Sequence, residues 1–199
     1  MNLQNKLDCL LEDIAQRGAV PSLVLHACCA PCSSYVLEYL SRYFAITVCW
    51  CNPNISPEDE HSLRFDALLH MLERMSFANP VELACLPYEP DAFISATQGL
   101  EHEPEGGRRC EICFRLRLEQ AAKLAARRGA DYFTTTLSVG PRKDAALLHK
   151  IAAELAEKHG VLALPSDFKK RGGYARSTRL SREIKLYRQD YCGCAYSKL

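Results

Sequence analysis

The sequence predicts an α/β domain: a parallel sheet with helices on both faces, followed by a cysteine-containing C-terminal segment. Three observations carry this. Short apolar, β-branched runs alternate along the chain with longer stretches whose apolar residues recur at helical spacing. Turns rich in Pro and Asn separate the runs. The length of 199 residues suits one domain, and 48% hydrophobic with 25% charged residues supplies a core and a solvated surface. The expected organisation is a single α/β domain over 1–199, with 1–21 a helical N-terminal extension and 165–199 a basic, Cys-containing segment.

Ser22–Ala27 (SLVLHA) is a short apolar run between Pro21 and a cysteine turn, and reads as the first strand. Ser33–Tyr43 reads as a helix with Ser33 and Ser34 as candidate caps. Ala45–Cys51 (AITVCWC) is a second strand by its β-branched and aromatic content. Pro57–Met75 carries Leu63, Ala67, Leu68 and Met71 at helical spacing, with Pro57 in a first turn that has no use for its missing N–H. Val81–Leu86 is a third strand and Pro90–Gln98 a short helix, and Gly99–Arg109 reads as loop. Cys110–Arg128 is a long helix, Asp131–Thr136 a fourth strand, Asp144–His159 a helix and Val161–Leu164 a fifth strand. After a break at Gly172–Gly173, Ser177–Tyr187 is the last expected helix. In parallel sheets of this kind ligands bind beyond the carboxyl ends of the strands. Cys28, Cys51, Asn52 and Ser138 follow such ends, so the chemistry-bearing residues converge on one edge.

Lys plus Arg number 25 and Asp plus Glu 24, a formal net charge of +1. Overall attraction to nucleic acid is therefore no argument here, although a local basic patch is. No apolar run approaches the roughly 20 residues of a membrane span, and no membrane partner is expected. The opening MNLQNKLDCLLEDIAQRGAV is acidic and amphipathic, unlike a signal peptide. A reducing, cytoplasmic setting is expected, in which grouped cysteines bind metal or do redox chemistry more often than they form bridges.

Eleven cysteines are present, and seven fall into three groups: Cys28-Cys29-x-x-Cys32, Cys110-x-x-Cys113 and Cys192-x-Cys194. Thiolates are soft ligands for iron, Fe–S clusters and zinc, and a C-x-x-C turn lets two sulfurs face one centre. One such turn is weak evidence. Three are strong, because a core has no reason to place cysteines only at turns. A structural zinc needs four ligands and leaves three thiols over. A thioredoxin-like redox pair at Cys29-Ala30-Pro31-Cys32 leaves the other two groups without a role. Cys9 and Cys85 read as packing residues, as does Cys49, while Cys51 stands between packing and site.

The turn after the first strand is HACCAPCSS, and no glycine occurs between Gly18 and Gly99. Backbone cradling of phosphates wants glycine there, so ATP chemistry is disfavoured. Lys169, Lys170, Arg171, Arg176, Arg179, Arg182, Lys185 and Arg188 stand against Asp167 and Glu183, a local net +6. Such a segment can neutralise phosphates, with a solvated helix face as the plain alternative. Asn52 and Arg64 follow the second strand and are candidate substrate contacts, although Arg64 can also pair with Glu60 four residues earlier. His26 reads as a satisfied, half-buried residue, and Asp144 as a charge complementing a helix N-terminus.

The motifs LHACCAPCS, NPNISPEDEHSLR, EGGRRCEICFRLRL, TTTLSVGPRKD and FKKRGGYARSTRLSREIKLYRQDYCGCAYS, in this order, closely resemble the QueH-type epoxyqueuosine reductases. The resemblance runs from about Leu23 to Ser197. It implies a Rossmann-like fold and the last step of queuosine biosynthesis, in which epoxyqueuosine in tRNA loses its epoxide oxygen without cobalamin. It further implies a [4Fe–4S] cluster on Cys28, Cys29, Cys110 and Cys113, beside a second metal ion, iron or zinc. Cys32, Cys192 and Cys194 then sit near that second metal or serve as a redox pair. Cys32 and Lys143 are the expected catalytic residues, with His26 a further candidate proton donor. Lys170, Arg171 and Arg176 are expected on tRNA, together with Asn52 and Arg64. No flavin or nicotinamide fingerprint is present, so an external low-potential electron donor is expected. The competing readings are an ATP-dependent tRNA sulfurtransferase-like enzyme and a non-catalytic zinc-binding protein.

Overall fold

A computed structural model describes residues 2–197. Five parallel strands form one sheet: β1 (Ser22–Ala27), β2 (Ala45–Trp50), β3 (Val81–Cys85), β4 (Tyr132–Thr135) and β5 (Leu162–Ala163). Their order is β3-β2-β1-β4-β5. The chain thus moves outward from β1 to β3, then returns to pair β4 against the other side of β1, with Leu23 opposite Tyr132. That reversal opens a crevice at the carboxyl ends of β1 and β4.

Alternation along the strands sends side chains to two cores. Leu23, Leu25, Ile46, Val48 and Trp50 pack with α1 (Leu3–Arg17), α2 (Ala30–Leu40) and α3 (Glu58–Arg74) through Leu7, Leu11, Leu37, Leu40, Leu68 and Met71. Val24, Cys49 and Phe133 pack on the opposite face with α5 (Arg108–Arg128) and α6 (Ala145–His159) through Leu118, Ala121, Ala122, Ile151 and Leu155. Each buried leucine contributes about 1.5–3 kcal/mol. The short α4 (Pro90–Ala96) precedes α5, and α7 (Gly173–Glu183) packs on α2. No helix among the described residues is long and apolar enough to cross a membrane.

Three helices start earlier than the sequence suggests, α5 by two residues at Arg108 and two others by more. α2 begins at Ala30, with Pro31 in its first turn, where no N–H is needed. Ser33 and Ser34 do not cap it; their hydroxyls donate back to the Cys29 and Pro31 carbonyls. α7 begins at Gly173 instead of Ser177 and ends at Glu183 instead of Tyr187. Gly173 starts that helix because a Cβ there would stand 1.9 Å from the Phe168 carbonyl and 2.4 Å from the Tyr35 ring. β5 is shortened to two residues. Asp144 is a full N-cap, its Oδ1 accepting from the Ala146 and Leu147 amides. Cys9 and Cys85 are exposed, not packed: one lies on the outer side of α1, the other at the end of edge strand β3. Cys49 and Cys51 are buried.

Candidate metal centre

All seven grouped cysteines line one cavity of about 150 Å³. Cys28 and Cys29 come from the β1–α2 turn, Cys32 from the first turn of α2, Cys110 and Cys113 from the start of α5, and Cys192 and Cys194 from the C-terminal tail. The sulfurs of Cys28, Cys29 and Cys32 lie within 4.8 Å of one another, those of Cys28 and Cys29 at 3.7 Å. Thr136, just past β4, ties the two sides of the crevice together: its hydroxyl donates to Cys28 Sγ at 3.1 Å and accepts from the Cys28 amide at 3.0 Å.

Hydrogen bonds from Cys29 and Cys32 hold the Cys28 thiol well below its ordinary pKa, helped by Arg117 and Thr136. Its partners move the other way: Cys29 rises to about 12 through its hydrogen bond to Cys28, and Cys32 rises well above the ordinary range for the same reason. In the tail, Cys194 hydrogen-bonds Cys192 and pulls it down to about 5, with Lys143 and Ser197 contributing. Burial pushes Cys113 up. The β1–α2 group and the tail group therefore each give up a first proton readily, which is what thiolate ligation requires.

Four cations line the same wall: Arg64, Arg109, Arg117 and Lys143. Arg117 is 4% exposed, and among the described residues no carboxylate meets it. It donates instead to Asn52 Oδ1 at 2.5 Å, His26 Nε2 at 3.3 Å and Cys113 Sγ at 3.9 Å. A buried cation without an anion costs several kcal/mol, so the cavity is electrostatically built for a negative occupant. Thiolate-bound metal groups are anionic, and the donor set is thiols. The residues present fit such a group.

The expected site residues divide by position. Lys143 lines the cavity, its ammonium 2.9 Å from Glu105 and above the Phe114 ring. Burial opposes its charge, but the Cys192 thiolate and Glu105 outweigh burial and keep it protonated. Arg64 also lines the cavity, with its donors spent on Glu60 and on the carbonyls of Cys192 and Tyr191. Asn52 stands behind the wall, bonded to the Ala27 carbonyl and to Arg117. His26 is fully buried, and burial with the neighbouring Arg117 lowers its pKa to about 3. Its Nε2 lies 3.3 Å from Arg117 Nε and 3.2 Å from the Cys51 carbonyl, and its Nδ1 lies 2.8 Å from the Thr135 hydroxyl. None of Lys170, Arg171 and Arg176 lines the cavity; Arg171 pairs with Asp8 and Arg176 with Glu38. Arg109, Arg117 and Thr136 escaped the sequence reading. The spacing Cys110, Cys113, Arg117 does place all three on one helix face.

The tail is held by Arg64 and by Ser56, whose amide donates to the Gly193 carbonyl at 2.9 Å. Gly193 has φ +101°, and a Cβ there would sit 2.8 Å from Arg64 Nη1. The residue between the two tail cysteines therefore has to be glycine. Gly193→Ala is expected to cost about 1–3 kcal/mol of stability and to reduce metal content, measured by melting temperature and metal analysis.

A doubly wound sheet with a thiol-lined, cation-backed cavity at its switch point defines an α/β protein with a candidate site for a thiolate-bound metal. A family model described as epoxyqueuosine reductase QueH matches residues 23–199. The epoxyqueuosine reductase QueH of Streptococcus pyogenes is 40% identical over 179 residues, covering 89% of this chain and 70% of the relative. That of Staphylococcus epidermidis is 36% identical over 203 residues, covering 100% and 85%. That of Thermotoga maritima is 33% identical over 181 residues, covering 89% and 91%. The chain belongs to the epoxyqueuosine reductase QueH family.

Proposed function

We propose that this chain reduces epoxyqueuosine in tRNA to queuosine, using a [4Fe–4S] cluster on Cys28, Cys29, Cys110 and Cys113. A second metal ion, iron or zinc, would be held beside Cys32, Cys192 and Cys194. The observation that carries the reading is the meeting of all seven grouped cysteines in one cavity, in a chain of this family. Cys32 lies within 4.8 Å of Cys28 and Cys29, so the two centres adjoin.

Deoxygenation of an epoxide takes two electrons and two protons and releases water. When bound, the metal groups supply electrons one at a time and Lewis acidity at the C–O bond. The protein supplies the rest. Lys143, held protonated against Glu105, offers a proton at Nζ to the departing oxygen. Cys32, within 4.8 Å of Cys28 and Cys29, would stand where the metal groups and the substrate meet. Arg64 and Asn52 support the cavity from behind, one by fixing the tail, the other by fixing Arg117. Phe114 and Leu137 on the cavity wall exclude water.

Exposed cations around α7, including Lys170, Arg179 and Arg182, meet tRNA phosphates. An external low-potential donor supplies electrons, and the eleven free cysteines suit a reducing cytoplasm. The sulfurtransferase reading loses ground at the β1–α2 turn, where three thiols occupy the place of a phosphate loop.

The test is an anaerobic nucleoside assay on tRNA carrying epoxyqueuosine, with a strong chemical reductant. Queuosine is expected without ATP or cobalamin. Metal-loaded protein that forms no queuosine, or that needs ATP to change the nucleoside, overturns the reading.

A further inference from the structure

The exposed large apolar side chains among the described residues are Val20, Leu63, Leu69, Ile94, Leu162 and Tyr174, and Tyr174 alone is aromatic. It is 45% exposed and stands in the first turn of α7, among cations. Lys170, Arg182, Lys185 and Arg188 are exposed and meet no carboxylate among the described residues, whereas Arg171 pairs with Asp8, Arg176 with Glu38 and Arg179 with Glu183. Tyr174, Thr178 and Arg182 follow at i, i+4 and i+8, so the ring and the Arg182 guanidinium share one strip of the helix. A flat apolar ring ringed by positive charge suits an anion that also has flat faces, which an unpaired nucleic-acid base on its phosphate chain provides.

The backbone under Tyr174 is held firmly. Gly173 packs so closely on the Phe168 carbonyl and the Tyr35 ring that no Cβ fits, and the Tyr174 carbonyl accepts from the Ser177 and Thr178 hydroxyls. On either side of α7 the chain turns left-handed, at Arg171 (φ 52°) and Lys185 (φ 55°), the only non-glycine residues with positive φ among those described. Such conformations are uncommon outside glycine and gather at functional positions; here they set a cation at each end of the helix. The location fits as well. Cys32 lines the cavity, and Tyr35 follows it by about one helical turn along α2. Gly173 rests on that Tyr35 ring, so α7 starts about one turn of α2 from the cavity wall.

We propose that Tyr174 is a stacking platform for an unpaired tRNA base next to the one that enters the cavity, with Arg182 and Lys185 on the adjoining phosphates. A base worked on in a cavity has to leave its stack, and its neighbour then loses a stacking partner. The Tyr174 ring replaces that partner. The inference rests on tRNA being the substrate, as argued above. It adds to the phosphate contacts a preference for single-stranded structure, because a duplex offers phosphates but no open base face.

Wild-type, Tyr174→Ala, Tyr174→Phe and Lys185→Ala proteins are titrated over a range of salt with tRNA carrying epoxyqueuosine and with double-stranded RNA of similar length. Tyr174→Ala is expected to lose about tenfold in affinity for tRNA at every salt concentration, with the salt slope unchanged. Tyr174→Phe should bind as wild type does. Lys185→Ala should instead lower the salt slope by about one. Affinity of Tyr174→Ala for the duplex, its metal content and its melting temperature should hold. As a check that needs no variant, ultraviolet irradiation of the wild-type complex should join tRNA to the peptide that contains Tyr174. Where wild type converts epoxyqueuosine, Tyr174→Ala that binds tRNA with full affinity, or loses as much on the duplex, overturns the platform and leaves the proposed function standing. So does a crosslink confined to other peptides. A wild type that neither binds nor converts the modified tRNA overturns the proposed function itself.

Discussion

Serine at any one of Cys28, Cys29, Cys110 or Cys113 is expected to remove most of the iron and sulfide from anaerobically purified protein. A missing thiolate exposes a cluster to solvent, and Ser Oγ is a hard, poor substitute for a soft ligand. The cavity geometry makes the loss cooperative, because the three groups share one space and the same backing cations. Cys9→Ser and Cys85→Ser, both at exposed positions remote from it, should retain the full complement. Iron and sulfide analysis with the visible absorption spectrum checks this. Full iron content in Cys113→Ser would show that the ligands divide between the centres differently.

Arg117→Leu should be as disruptive, although Arg117 is no ligand. Its loss leaves Asn52 Oδ1 unpaired in a buried place, at about 1–3 kcal/mol, while His26 Nε2 keeps the Cys51 carbonyl. It also removes the cation behind the thiols. A unit charge about 6 Å away at an effective dielectric near 20 contributes roughly 3 kcal/mol, on the order of 100 mV for a one-electron couple. The midpoint potential of the loaded protein should therefore fall, since the reduced state carries more negative charge. Arg117→Lys keeps the charge but loses the fork that reaches Asn52 and His26 together. It should recover most of the potential while remaining less stable. Equal potentials in wild type and Arg117→Leu would show that the guanidinium does not face the centre.

The strands were legible because apolar, β-branched runs ended in Pro, Asn and Cys turns, and their order implied a parallel sheet. The helix starts were less so. Ser33 and Ser34 looked like caps, but Pro31 suits a first turn, and the serines bond backward inside the helix. Gly172–Gly173 looked like a break, yet Gly173 serves close packing against Phe168 and Tyr35, a tertiary contact with no local signal. The grouped thiols were legible from spacing alone. Arg117 was readable at four and seven residues beyond Cys113 and Cys110. The burial of Cys9 and Cys85 was misread, since a small side chain on an amphipathic helix or an edge strand leaves little periodic trace.

The central claim is that electrons reach the epoxide through the centre in this cavity. Anaerobic protein is reduced, freed of excess reductant, mixed with tRNA carrying epoxyqueuosine, and followed in one sample by electron paramagnetic resonance and nucleoside analysis. The reduced-cluster signal should disappear in step with queuosine formation, and persist when the tRNA carries guanine instead. Queuosine forming while the signal stays intact would contradict the account, as would a signal that decays equally with unmodified tRNA.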